Sequence, residues 1–362
     1  MKMKRLRLSI LALVYVVAGI SAQEVVWSVD FNTIFDNREG DSKVADAKTF
    51  FLTQLSPEIG LSLLNGGHTV AGGIVWTQPI GCEWEGYRIS PTLYYQYCDN
   101  GLQGFLGMFP REKLYRPLPD YIWNDSVYYV QRNIRGAGLV SAGRHGFIQA
   151  LLDWRGMQTK TQREAFNVIA MGEWYKSDES PLSLGGLLMI NHLALRENAP
   201  EDEGVVDNIL YNPYIGVRFE KWLPSLKEFY VKSGVLGSIS RDRKGENRWK
   251  VPAGFWLDIT FRWKWIGVRE ELYAGSPLFP FYHKYGALLD QGEHYFSSDF
   301  YSRTEVKGYI IDKSFVTLKA SLDFHVTSTD FIFYQRLILN INFDGGFATH
   351  RKNKTPMLQR SL

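Results

Sequence analysis

The 362-residue chain carries 41 basic and 38 acidic residues, is 45% hydrophobic and 15% aromatic, and holds two cysteines. Four of the basic residues precede an apolar run near the start and four follow Phe347, so the body keeps 33 basic against 38 acidic residues. It is mildly acidic, which removes any charge-based case for nucleic acid as a partner.

Residues 1–22 read as a secretory signal. Lys2, Lys4, Arg5 and Arg7 lead into the apolar run Leu8–Ile20, and Ser21-Ala22 offers a small-residue cleavage point. That run is short for a membrane-anchoring helix, and no apolar run after Gln23 is long enough to be one. No cysteine lies beside the cleavage point, so a lipid anchor has no support.

Residues 23–347 read as strands, because apolar residues recur at every second position. The first strand, Glu24–Ile34, sets Val25, Trp27, Val29 and Phe31 against Ser28, Asp30 and Asn32. The second turns back through Phe51–Leu63 and ends on the hairpin signal Asn65-Gly66-Gly67. His68–Thr77, Tyr87–Tyr97 and Leu102–Phe109 follow as strands three to five, the last two joined by Asp99-Asn100-Gly101. A long connection leads to a poorly patterned sixth strand, Arg135–Ala142. Strand seven places Ile148, Ala150, Leu152 and Trp154 opposite Gln149, Asp153 and Arg155, and strand eight covers Gln162–Tyr175. Strands nine to eleven cover Leu182–Leu195, Asn208–Phe219 and Lys227–Ser238. In strand twelve, Phe255, Leu257, Ile259, Phe261 and Trp263 oppose Trp256, Asp258, Thr260 and Arg262. Strand thirteen, Ile266–Tyr273, is short and charged, and strand fourteen covers Phe300–Ile310. The last hairpin, Ser314–Asp344, alternates most cleanly, with Val316, Leu318, Ala320, Leu322, Phe324 and Val326 on its oily face.

This gives sixteen strands, with fourteen as the alternative if the sixth or thirteenth fails. Even-numbered connections are tight and most odd-numbered ones are long, the pattern of barrels with short periplasmic turns and long outer loops. A soluble sandwich, the alternative fold, has no reason to sort its connections by parity. Trp27, Trp76, Trp154, Trp174 and Trp263 sit toward strand ends on the oily face, as interfacial girdles do. The fold expected is therefore an all-β, antiparallel transmembrane barrel with a basic periplasmic tail over 348–362. Cys82 and Cys98 flank strand four, about 30 Å apart at about 3.3 Å per residue. A disulfide needs less than about 7 Å, so two free cysteines are expected.

The wet face carries Glu58, Arg88, Glu173, Arg218, Asp258, Arg262, Arg303, Glu305, Lys319, Asp323 and Arg336. Their plain role is to stitch the wall by cross-strand ion pairs; their functional role would be to line a pore. Parity places Asp36, Arg38, Glu39, Arg111, Asp153, Arg155 and Arg163 together at the outer mouth. Such a cluster would hold an outer loop inside the bore or meet an anionic ligand. Inward Tyr94, Tyr214, Tyr230, Trp256 and Tyr301 could stack on sugar rings, although filling the core is the nearer account. The seven histidines show no metal spacing, and no cofactor or nucleotide motif is present. His192 on strand nine is similar in placement to the histidine of barrel phospholipases, but no serine follows within its strand.

Five stretches resemble a family of uncharacterised outer-membrane barrels from Bacteroides-type bacteria: Phe35–Glu39, Leu55–Gly60, Gly107–Arg111, Leu152–Arg155 and Thr161–Phe166. The resemblance covers the N-terminal half. It implies an outer-membrane location in a Gram-negative envelope, with no substrate and no catalytic residues to carry over. The sequence thus points to a non-enzymatic, porin-like channel in the outer membrane, passing small hydrophilic solutes such as saccharides. Its partners are then the bilayer and those solutes. The alternatives are a plugged barrel serving as surface receptor or envelope-complex subunit, and a barrel hydrolase.

Overall fold

In a computed structural model the chain is described over residues 24–41, 48–82, 86–201 and 203–346. The expected signal (1–22) and basic tail (348–362) lie outside these. The described chain is a closed antiparallel barrel of sixteen strands. In order they are β1 (Glu24–Asp41), β2 (Lys48–Leu63), β3 (His68–Pro79), β4 (Arg88–Asp99), β5 (Leu102–Pro110), β6 (Asn133–Gly143), β7 (Gly146–Gly156) and β8 (Ala165–Tyr175). The second half is β9 (Leu182–Leu193), β10 (Val206–Arg218), β11 (Glu228–Asp242), β12 (Ala253–Trp263), β13 (Ile266–Gly275), β14 (Phe300–Asp312), β15 (Val316–Thr327) and β16 (Phe331–Gly346). Each strand pairs with its chain neighbours. The first and last close the wall, in register from Val26 opposite Gly346 to Asp41 opposite Phe331. Closure matters because hydrocarbon offers no hydrogen bonds to an unpaired edge.

The alternation sorts the side chains as their chemistry requires. Leu93, Leu106 and Ile215 stand 58%, 63% and 58% exposed on the outside, while Asp36, Asn208 and Asp323 are buried within. Of the strand boundaries that differ from the sequence reading, three move residues expected at the mouth or border it. β1 and β2 continue past the oily rows to Asp41 and Lys48, so Asp36, Arg38 and Glu39 belong to a strand rather than to the loop after it. β8 begins only at Ala165, which leaves Arg163 in the connection. β6 is poorly patterned because Gly138 leaves room for its neighbour's rings. A Cβ there would lie 2.9 Å from the Phe109 ring and 3.3 Å from Phe105.

The two longest connections, 111–132 after β5 and 276–299 after β13, do not stand above the wall. They turn into the barrel and build its core: Tyr121, Ile122, Trp123, Phe279, Tyr295 and Phe296 pack against wall residues such as Leu210, Leu236 and Trp256. Both cysteines are unpaired. The outward row sets a stability prediction. Leu106→Arg, at the middle of β5, should cost roughly 2–4 kcal/mol in reversible unfolding from lipid vesicles, whereas a wall packed as a soluble core would respond by cavity and strain terms at inward positions instead.

Candidate functional site

Long-range polar contacts hold the two inserted connections. Their backbones join at Asn124 N to Gln291 O, 2.9 Å, and Glu293 N to Asp120 O, 2.7 Å. The wall grips them from several sides. Gln149 of β7 donates to the Arg116 carbonyl at 2.8 Å and Gln54 of β2 to the Tyr129 carbonyl at 2.8 Å. Ser238 of β11 donates to the Leu278 carbonyl at 2.7 Å, and Tyr121 donates to Asn212 of β10 at 2.9 Å.

Charge supplies the firmest hold. Asp120 accepts from Arg269 of β13 at 2.8 Å and from Arg303 of β14 at 2.6 Å. Asp125, which opens the short helix Asp125–Val130, meets Arg303 at 3.2 Å and Arg336 of β16 at 2.8 Å. Arg303 and Arg336 share Asp323 of β15 as well. Burial alone would raise the Asp125 carboxyl, yet the Arg336 and Arg303 guanidiniums hold it well below the usual carboxylate range. Such a lattice is weak evidence for net stability, but breaking one member strands a buried charge.

Beside this lattice, at the mouth bearing the long connections, lies a cavity of about 200 Å³. The ends of β1, β2 and β16 form one wall, through Arg38, Lys48, Phe50 and Tyr334, and the inserted connections form the other, through Asn124, Ser126, Glu293 and His294. Glu293 Oε1 lies 2.8 Å from His294 Nδ1. Burial pushes the Glu293 carboxyl up, but the hydrogen bond from His294 and nearby positive charge outweigh it and hold it at about 2. Glu293 is therefore ionised and orients the imidazole. His294 Nε2 is buried with no hydrogen-bonding partner. Arg38 is clamped between the Phe50 and Tyr334 rings, 4.6 Å from each centroid, with Nε and Nη2 donating to Asp36 at 3.1 and 2.8 Å. The cavity thus combines a hydroxyl, a carboxylate-oriented imidazole and two cations. These are the residue types that ester cleavage by a serine nucleophile uses; Ser126 and His294 line the same cavity, with no hydrogen bond between Ser126 Oγ and His294 Nε2.

The seven residues expected at the mouth fall into separate groups. Asp36 and Arg38 pair as above, and Glu39 accepts from Asn37 at 2.6 Å. Arg111 lies 3.6 Å from Asp153 and 3.5 Å from the Trp123 ring centroid, and burial pushes its guanidinium down while Asp153 opposes this. Arg155 donates to Asn191 at 2.6 Å and to the Leu288 carbonyl at 3.0 Å. Arg163 instead donates to the Ala194 carbonyl at 2.7 Å and to the Gly204 carbonyl at 2.5 Å.

Along the wall, Glu58 accepts from Tyr94 at 3.1 Å, Glu173 from Tyr214 at 3.2 Å, and Arg218 donates to the Ser180 carbonyl. Asp258 binds Arg269 at 2.9 Å, Glu305 binds Lys307 at 2.8 Å, and Arg262 pairs with Asp312. Arg88 stands exposed at the start of β4, opposite Thr77, and Lys319 Nζ lies 5.5 Å from the Tyr309 ring. His192 faces outward and packs on Phe166, with centroids 4.8 Å apart; Phe166 stacks on Trp154. It belongs to the aromatic girdle. Asp120, Asp125, Ser126, Glu293 and His294 escaped the sequence reading because they lie in unpatterned connections. Their one local signal is apolar runs where a solvated loop would be polar, Tyr121-Ile122-Trp123 and Tyr295-Phe296. Among the described residues, no group of three His, Cys, Asp or Glu is placed to hold a metal ion.

A family model described as "Lipid A 3'-O-deacylase-type" matches residues 19–348. That match overturns the expectation of a chain without enzymatic activity, since the family is described by an ester-cleaving reaction. No curated protein matches the sequence. Among solved structures, Pseudomonas aeruginosa OpdO is similar at a TM-score of 0.51 and 11% identity, over 90% of this chain and 98% of that one. The same organism's OccK3 (OpdO) gives a TM-score of 0.50 and 11% identity over 90% and 96% of the two chains. A doubly substituted OccD1 (OprD) gives 0.50 and 10% over 90% and 96%. At these identities the likeness is one of fold: a closed, outer-membrane-type barrel.

Asp125→Ala removes one of the carboxylates that Arg303 and Arg336 share, leaving Asp120 and Asp323 in place, and should cost about 1–3 kcal/mol, read as earlier thermal unfolding and faster proteolysis within 111–132. Asp290 accepts from Asn208 at 2.7 Å, and burial pushes its carboxyl up to about 7. A raised carboxyl contributes stability that is complete at low pH and lost as pH rises through about 7. Thermal unfolding should therefore shift down from pH 5 to pH 8, and Asp290→Asn should flatten that slope.

Proposed function

We propose a function on the premise that fixes its class: this chain belongs to the Lipid A 3'-O-deacylase-type family. On this reading it is an outer-membrane esterase that removes an acyl chain from an acylated glycolipid such as lipid A, at the mouth bearing the long connections. The observation that carries it is Glu293 on His294 Nδ1 at 2.8 Å, with the opposite ring nitrogen unspent, in one cavity with Ser126, Arg38 and Lys48. Ser126 Oγ attacks the ester carbonyl carbon while His294 Nε2 takes its proton, and Glu293 steadies the imidazolium that forms. The sugar oxygen leaves with that proton. Water, deprotonated by the same nitrogen, then cleaves the acyl-serine and releases the fatty acid. Lys48 stands at the rim over Phe50, 4.8 Å from its centroid, where it can meet an anionic group of the glycolipid.

A second reading is supported by the fold. Barrels of the Occ/OprD kind are outer-membrane porins, and this one would pass small hydrophilic solutes through whatever part of the bore the inserted connections leave open. Two measurements separate the readings. The purified chain, incubated with lipid A and followed by mass spectrometry, should release one fatty acid per glycolipid. Ser126→Ala and His294→Ala should each slow that release by roughly a thousandfold or more while leaving the barrel folded. Undiminished release in both variants sinks the assignment. Open-channel steps in planar bilayers from the native chain, without any release of fatty acid, would favour the porin reading.

A further inference from the structure

The end of the barrel opposite the cavity carries a second recess, of about 480 Å³, bordered by Lys227, Lys264, Trp265, Ile310, Asp312 and Lys313. Three separate short connections each bring one lysine to it: the segment between β10 and β11, the two-residue turn between β12 and β13, and the link between β14 and β15. The backbone is shaped to do this. Lys264 takes a left-handed φ of +51° in its turn, a conformation uncommon for a residue with a side chain. The register of β14 against β15 slips between Tyr309 and Ile311. Such a bulge bends a strand and re-aims its side chains, and here Ile310 stands 61% exposed, as does Trp265.

The charges do not cancel. Asp312 is the one carboxylate bordering the recess among the described residues, and it is already shared by Lys227 at 3.3 Å and by Arg262. Lys264 and Lys313 are left as surplus positive charge beside exposed indole and isoleucine. The surface is two-sided, with ammonium groups beside exposed indole and isoleucine side chains. A soluble anion would use only the first half and a neutral acyl chain only the second.

We infer that this recess binds an anionic phospholipid of the periplasmic leaflet, its phosphate among Lys227, Lys264 and Lys313 and its acyl chains along Ile310 and Trp265. Lysines and tryptophans at headgroup depth are suited to this, and each basic group near an anionic lipid surface adds an attraction equivalent to about fivefold in affinity. The site lies at the opposite mouth from the ester-cleaving cavity and stands whether or not that cavity cleaves esters.

The test uses the full chain, purified in mild detergent and examined by native mass spectrometry with phosphatidylglycerol, phosphatidylcholine or inorganic phosphate added. Phosphatidylglycerol should be retained in preference to phosphatidylcholine, and inorganic phosphate should not displace it. Lys264→Gln should lower retention about fivefold, and Lys227→Gln, Lys264→Gln and Lys313→Gln together on the order of a hundredfold. Lys176→Gln, on another connection at the same end, should leave retention unchanged. Equal retention of the two lipids, displacement by inorganic phosphate, or retention unmoved in the triple variant each overturns the inference. Should the triple variant not fold, Lys264→Gln alone decides, and a change below twofold counts against the site.

Discussion

A backbone crossing hydrocarbon must satisfy every amide and carbonyl within itself, and a sheet can do so only by closing. Everything else in this molecule sits inside that requirement. The pairing of β1 with β16 removes the last free edge and fixes a cylinder, whose outward rows must be oily because they meet lipid. Its inward rows are then free to carry polarity. They do so in quantity, with Asn, Gln, Asp, Glu and Arg side chains buried from β1 to β16.

Polar walls alone would leave an aqueous bore, yet much of this interior is packed with aromatic and aliphatic side chains. The chain brings that apolar filling in on two connections and fastens it by charge, with aspartates on the inserted segment and arginines on the wall. The arrangement explains how one fold can serve different ends. In a barrel without such segments the same inward polarity borders a passage for solutes. Here the inserted segments make a second wall, and a cavity with a shielded imidazole forms where the two walls meet. The fold is shared with porins, while the chemistry rests on what is folded into it.

The readable part of the sequence was the part in contact with lipid. Leu318, Leu322 and Phe324 recur with period two because hydrocarbon penalises any other residue there, so strand number, facing and the parity of the connections follow from the pattern. Legibility fails where another rule takes over. At the rim, Arg38 and Lys48 continue the ladder above the oil, so β1 and β2 outrun their hydrophobic rows. In β6, Gly136 and Gly138 carry no side chain to pattern: the rings of Phe105 and Phe109 take the space at Gly138, and Leu152 of the next strand takes it at Gly136. The cavity was the least visible. Asp120 and Arg303 are 183 residues apart in the chain, and no local spacing announces that they touch. A histidine followed by Tyr295 and Phe296 reads as a loop residue until the loop is seen to be a core. Local pattern makes only a strand histidine such as His192 conspicuous, and that one packs on Phe166 in the girdle.

The seam between β1 and β16 also sets an order of assembly. Its two halves come from opposite extremes of the described chain, with pairs such as Val26 and Gly346 separated by nearly all of it. Contacts of such long range form late, after the loop-closure entropy between them has been met. The connection after β5 is bound to β13, β14 and β16, so its aspartates must find their arginines while the cylinder is still an open, curling sheet, or be threaded through a mouth afterwards. On the first of these routes the inserted core is a mandrel: the last strands roll onto it, and the zipping of the seam locks it in.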